Sequence, residues 1–162
     1  MYPIGLSSCG FALTEENFSA LQNSGIAAIE ISMRPELYPA IDYAQTLRLS
    51  RDYGVKLWSY HLPFVPFEEL EPSALDPSLR ADTVAYFTQL IQKGAQIGID
   101  KFVIHPSGEP IPDAQREERL RYAMDSLDIL AEVAHREGAR IAVENLPEKG
   151  CRFTVRLQPA EE

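Results

Sequence analysis

The chain has 162 residues, of which 45% are hydrophobic and 24% charged, and its formal net charge is −9. This length and composition are typical of one soluble globular domain with a sizeable core, and no apolar run approaches the roughly 20 residues of a membrane span. The excess of acidic residues argues against a nucleic-acid-binding surface, because phosphates repel negative charge. The two isolated cysteines predict no disulfide framework and a cytoplasmic location.

Five short apolar runs along the chain are predicted strands. The first run is 4–9, and the next four end at polar residues, which are Glu30, His61, His105 and Glu144. A glycine precedes each of these four runs, at Gly25, Gly54, Gly98 and Gly138. Glycine commonly ends a helix, so each of these positions predicts a helix followed by a strand.

Helices are predicted between the strands. The first begins after Thr14, the second runs from about Ala40 to Tyr53, and the third begins at Asp76-Pro77. The fourth covers about 113–137. Strands that alternate with helices at this spacing predict a parallel sheet with right-handed crossovers.

The two faces of the predicted strands differ in side-chain size. One face carries small residues such as Ala28, Ser59 and Ala142, whereas the other carries bulky pairs such as Trp58 and Tyr60. A closed barrel has a confined inner face and a broad outer face under its helices, whereas an open doubly wound sheet is bulky on both faces. The pattern therefore favours part of a (β/α)8 barrel with about five βα units.

The polar strand ends predict a functional site. His61, His105 and Glu144 end consecutive strands, which lie about 4.8 Å apart in a sheet. Two imidazoles and a carboxylate can share a divalent ion, and barrel enzymes keep their active sites at this rim. Glu30 ends the neighbouring second strand and is a candidate for moving protons.

Three further features of the sequence are interpreted as structural rather than catalytic. The loop 63–76 is long and contains Phe64 and Phe67, which predicts a packed lid. Its acidic run 68–71 is predicted to be a solvated face. His135, in the last turn of the long helix, is predicted to be a solvated residue near the negative helix end.

The strand ends Ile29-Glu30-Ile31-Ser32, Ser59-Tyr60-His61-Leu62-Pro63, Val103-Ile104-His105-Pro106 and Val143-Glu144-Asn145-Leu146-Pro147 resemble those of the xylose isomerase-like TIM barrel superfamily. That superfamily joins sugar-phosphate isomerases and epimerases with endonuclease IV-type enzymes. The resemblance implies that Glu144 is a metal ligand. It implies that His61 and His105 bind metal in an endonuclease or contact substrate in an isomerase.

The resemblance covers roughly residues 4–149. We therefore expect the N-terminal part of a barrel over 1–149 and an atypical tail over 150–162, with the chain truncated after the fifth strand. The remaining family ligands come from later strands, so we expect Zn²⁺, Mn²⁺, Mg²⁺ or Co²⁺ to bind weakly and without turnover.

Three functions remain open at this point. The first is a metal-dependent isomerase or epimerase of a small sugar or sugar phosphate, with Glu144 and Glu30 as catalytic carboxylates. The second is an endonuclease for abasic DNA. The third is a non-catalytic barrel fragment that self-associates through the unpaired edges of its first and last strands.

Overall fold

A computed structural model describes residues 3–108 and 110–143. Five strands form one sheet, and each strand runs parallel to its neighbours. They are β1 (Ile4–Ser7), β2 (Ile26–Ile31), β3 (Lys56–His61), β4 (Lys101–Ile104) and β5 (Arg140–Val143). The predicted parallel α/β arrangement is confirmed.

Four α-helices connect the strands. They are α1 (Glu15–Asn23), α2 (Tyr43–Tyr53), α3 (Pro77–Gln96) and α4 (Asp113–Arg136). Thr14 and Asp76 cap α1 and α3 as predicted, since their side chains accept hydrogen bonds from backbone amides in the first turn. The second helix starts later than Ala40, because a 3₁₀ turn occupies Pro35–Ala40 and Asp42 provides the cap.

The strand order distinguishes a barrel from an open doubly wound sheet. The strands lie in the order β1-β2-β3-β4-β5, without the reversal that creates the switch point of a doubly wound sheet. Right-handed crossovers in one constant direction place all the helices on the same face of the sheet. The structure therefore has the arrangement of roughly half a barrel, as the sequence predicts.

The core lies between the sheet and the helices. Ile29, Ile31, Tyr60, Phe102 and Ile104 are at most 1% exposed and form its central layer. They are joined by apolar residues from each of the four helices. The opposite face of the sheet carries the small side chains, including Gly5, Ala28 and Ser59, and it borders an open cavity.

The predicted position of Trp58 on the core face is wrong. Ile29 pairs with Leu57 and Glu30 pairs with Ser59, so Trp58 is an extra residue between two pairs. Such a β-bulge changes which face the following side chains occupy. Leu57 is buried in the core instead, whereas Trp58 is 47% exposed and lines the cavity on the small-residue face.

Within the described residues, β1 and β5 are the edges of the sheet. Ile4 and Leu6 of β1 are 61% and 47% exposed. The boundary at 149–150 and the tail lie outside the described residues, so the two-part division stays a prediction, as does self-association. No helix in the described part of the chain is long and apolar enough to cross a bilayer.

Candidate active site at the carboxyl ends of the strands

The fold brings three of the four predicted site residues to one end of the sheet. His61 is the last residue of β3, His105 directly follows β4, and Glu30 is the penultimate residue of β2. These are the carboxyl ends of adjacent parallel strands. Glu144 directly follows β5 but lies outside the described residues, so its predicted place at this rim stays a prediction.

The two histidines lie next to each other. Their ring centroids are 5.0 Å apart, and the His61 side chain is only 7% exposed. The Nδ1 atom of His61 is 2.8 Å from the backbone carbonyl oxygen of Leu62. Because a carbonyl oxygen can only accept, Nδ1 carries the proton in this contact and Nε2 of the neutral ring keeps its lone pair. In this tautomer Nε2 is the nitrogen that can bind a metal ion or accept from a substrate hydroxyl.

Phe64 covers the histidine pair. Its ring centroid is 4.4 Å from that of His105 and 5.3 Å from that of His61. The ring is still 38% exposed, so one part of it packs on the imidazoles and another remains accessible. The only local sequence signal for this role is weak, because Phe64 is an aromatic residue three positions after His61 at the end of β3.

Tyr38 fixes the end of β3. Its hydroxyl donates to the His61 carbonyl oxygen at 2.6 Å and accepts from the Met33 amide at 3.2 Å. The side chain is 2% exposed, and this burial raises the pKa of Tyr38 to about 12. The neutral hydroxyl therefore ties the segment after β2 to the histidine that ends β3.

Glu30 occupies a separate, deeper position. Glu30 pairs with Ser59, two residues before His61, which places the Glu30 and His61 Cα atoms about 8 Å apart at usual strand spacings. Ser59 Oγ donates to Glu30 Oε2 at 3.1 Å. Both residues line a cavity of about 410 Å³ that Trp58 also borders. The carboxylate thus faces a space large enough for a small ligand.

Residues 18–162 match the sequence profile of the xylose isomerase-like TIM barrel family. The chain belongs to this family. None of the curated proteins compared with the chain matches it significantly.

Solved structures of sugar epimerases share the fold. A D-tagatose 3-epimerase-like protein has a TM-score of 0.76 at 22% identity, covering 94% of this chain and 56% of the other. D-Psicose 3-epimerase in the presence of D-fructose has a TM-score of 0.72 at 17% identity, covering 91% of this chain and 53% of the other. The 3-keto-D-glucoside 4-epimerase from E. coli has a TM-score of 0.71 at 16% identity, covering 90% of this chain and 57% of the other. This xylose isomerase-like chain spans about half the length of these structures.

The spacing of the histidine rings in this family member fits that of two ligands on one divalent ion. Two imidazoles bound to one tetrahedral ion, each at about 2.0–2.1 Å, place their ring centres about 5 Å apart, close to the observed spacing. The His61 tautomer leaves Nε2 to bind. The described residues contain no group of three potential ligands, and the predicted third ligand, Glu144, lies beyond them.

The loop between β3 and α3 is packed only in part, since Phe64 and Val65 are 38% and 37% exposed, and its role as a lid stays a prediction. Pro72, Ser73 and Ala74 are buried. Glu71, predicted to belong to a solvated face, is only 4% exposed, because backbone and side-chain donors surround its carboxylate. His135 is exposed on α4 as predicted, away from the strand ends.

Proposed function

We propose that this rim is the active-site half of an isomerase or epimerase for a small sugar or sugar phosphate, with a divalent metal as cofactor. The observation that supports the proposal best is the 5.0 Å pairing of His61 and His105 at the strand ends. Glu30 lies on the adjacent strand beside a ligand-sized cavity. The structural likeness to sugar epimerases is consistent with this chemistry and by itself shows only the fold.

The proposal gives each residue a role. Glu30 is the proton-transfer base, which takes a proton from the carbon next to the sugar carbonyl and returns it. Ser59 orients that carboxylate through its hydrogen bond to Oε2. His61 and His105 hold the metal, contact sugar hydroxyls, or divide these tasks, and Glu144 is the carboxylate ligand that joins them. When bound, a divalent ion supplies Lewis-acid polarisation of the sugar carbonyl oxygen.

Metal binding is tested by calorimetry with Zn²⁺ at pH 7.5. We expect weak binding that is weaker still in His61→Ala and His105→Ala, because each variant removes an imidazole ligand. His135→Ala is the matched control, since this histidine is exposed on α4. Binding that survives both rim substitutions would place the metal elsewhere and refute this assignment.

Sugar binding can be followed by the fluorescence of the single tryptophan, because Trp58 lines the same cavity as Glu30. D-Fructose or D-tagatose added with Zn²⁺ should change its emission, and Glu30→Gln should weaken the response. Glu132→Gln, a matched change at an exposed residue of α4, should leave it unchanged. The same samples in D₂O report proton transfer through deuterium incorporation into the sugar. Absence of sugar binding, or equal binding by Glu30→Gln and the wild type, would contradict the proposal.

The histidine pair also suits the endonuclease alternative, in which both imidazoles bind metal. The net charge of −9 opposes it, because binding to DNA depends on contacts that neutralise phosphates. The discriminating experiment is binding of a duplex with an abasic site at low salt. Binding that weakens steeply as salt is added would favour the endonuclease, and no binding would remove it.

A further inference from the structure

Glu71 is a buried carboxylate outside the histidine pair. Its Oε1 accepts from Ser73 Oγ at 2.6 Å and from the Ser73 amide at 3.2 Å. Its Oε2 accepts from the Gly108 amide at 3.0 Å and lies 3.5 Å from Arg119 Nη1. One side chain in a connecting loop thus gathers donors from three separate parts of the chain.

These contacts join the two loops that follow β3 and β4. Glu71 belongs to the loop 63–76 after β3, whereas Gly108 belongs to the loop after β4, three residues beyond His105. The ring of Phe67 packs directly against Gly108, where even a Cβ atom would collide with it. The Glu71–Gly108 hydrogen bond and the Phe67–Gly108 contact therefore hold the same two loops together.

The loop 63–76 is fastened to the helices at Glu71 and Pro72. The Glu71 amide donates to Thr83 Oγ1 of α3 at 3.0 Å, and Ser126 Oγ of α4 donates to the Pro72 carbonyl oxygen at 2.8 Å. Arg119, which is also on α4, forms the ion pair with the Glu71 carboxylate. Because the helices fix the Glu71 backbone, its side chain reaches the loop after β4 from a rigid support.

A buried charge is a costly way to stabilise a loop. Removing a carboxylate from water carries a desolvation penalty that an apolar residue of similar size avoids, so a buried ion pair is weak evidence for stability. Here the carboxylate instead provides acceptors on both oxygens for donors from two loops. Its geometry is suited to fixing the relative position of these two loops, which also carry Phe64 and His105.

We propose that Glu71 is a positioning residue that holds the loops after β3 and β4 together, so that Phe64 stays packed over the His61–His105 pair. The importance of that pair rests on the proposed function. The positioning itself is measured separately, so that either idea can fail without the other.

The test compares Glu71→Met with the wild type by NMR. Methionine keeps the length of the side chain and removes the strong acceptors. In the folded variant we expect the Gly108 amide to exchange with solvent about tenfold faster, since its hydrogen bond is lost. We also expect the ring protons of His105 to lose the shift that the nearby Phe64 ring produces.

Thr46→Val is the control for a general loss of stability. Thr46 is 2% exposed on α2, and its hydroxyl donates to the Asp42 carbonyl oxygen at 2.8 Å. This variant should lower the melting temperature without moving the His105 ring signals. Glu71→Met spectra that keep the wild-type His105 shifts while only the melting temperature falls would overturn the positioning role.

A measurement on the wild type covers the case in which Glu71→Met does not fold. The proposal requires the Gly108 amide to be protected from exchange and the Phe64 and His105 rings to show a nuclear Overhauser contact. A wild-type chain lacking either property overturns the proposal.

Zn²⁺ calorimetry separates the positioning role of Glu71 from the proposed function. We expect about tenfold weaker binding in Glu71→Met, whereas NMR changes with no Zn²⁺ binding by the wild type would contradict only the proposed function.

Discussion

Removing the hydroxyl of Tyr38 should destabilise the chain far more than removing an exposed tyrosine hydroxyl. The Tyr38 side chain is 2% exposed, and its oxygen bridges the His61 carbonyl and the Met33 amide. In Tyr38→Phe the buried carbonyl loses a donor at a cost of about 1–3 kcal/mol, and the half-buried Met33 amide loses an acceptor at a smaller cost. We expect a loss of about 2–3 kcal/mol in the free energy of unfolding.

Urea denaturation followed by circular dichroism measures this loss, and thermal melting should show a decrease of roughly 4–12 °C for a chain of this size. Tyr53→Phe is the matched control, because its hydroxyl donates to Glu15 at an exposed site at 3.1 Å. That variant should stay within about 0.5 kcal/mol of the wild type. Equal stabilities of Tyr38→Phe and Tyr53→Phe would refute the bridging role.

Three further predictions concern the core, alkaline pH and a helix end. Gly94→Ala should destabilise by about 1–2 kcal/mol, because a Cβ atom would lie 2.7 Å from the buried Phe102 ring and outweigh the gain in helix propensity. In a double-mutant cycle, Phe102→Leu should reduce that cost, and strictly additive effects would contradict the clash. Burial raises the pKa of Tyr38 to about 12 and also raises that of Tyr60. Unfolded tyrosines lose their protons near pH 10, so the unfolded state binds fewer protons above that pH, and stability should fall between pH 10 and about 12, with a shallower fall in Tyr38→Phe. Gly54→Ala should cost about 1–2 kcal/mol in urea denaturation, because Gly54 ends α2 at φ 63°, and an unchanged midpoint would contradict that strain.

Local signals explain which parts of the fold the sequence predicts well. A helix cap such as Thr14 or Asp76 acts on amides within its own first turn, so its effect is visible in a few consecutive residues. The polar residue at the end of a strand is likewise a local signal. Parallel pairing then brings such residues to one edge, which is how His61 and His105 become neighbours.

Features that depend on distant partners are not visible in this way. The position of Trp58 follows from the register between β2 and β3, which period-two alternation within one strand does not contain. Glu71 lies in an acidic run that is typical of solvated surface, and its burial involves contacts with Gly108 and Arg119, which come much later in the chain. The packing of Phe64 against the histidines also depends on how two loops pack together.

The two parts of the candidate site differ in how completely their surroundings are built. His61 is 7% exposed. Leu62 and Phe64 contact its ring, and Tyr38 donates to its backbone carbonyl oxygen, all within the described part of the chain. Glu30 instead faces a cavity whose wall includes Trp58, which is 47% exposed. Proton transfer between a carboxylate and a carbon acid gains from excluding water, whereas binding by an oriented imidazole pair depends more on ligand geometry. Under the proposed function, we therefore expect this chain to retain binding of a metal or a sugar hydroxyl at the histidines more readily than a reaction at Glu30. For this reason, binding at the histidines is the property of this chain to measure first.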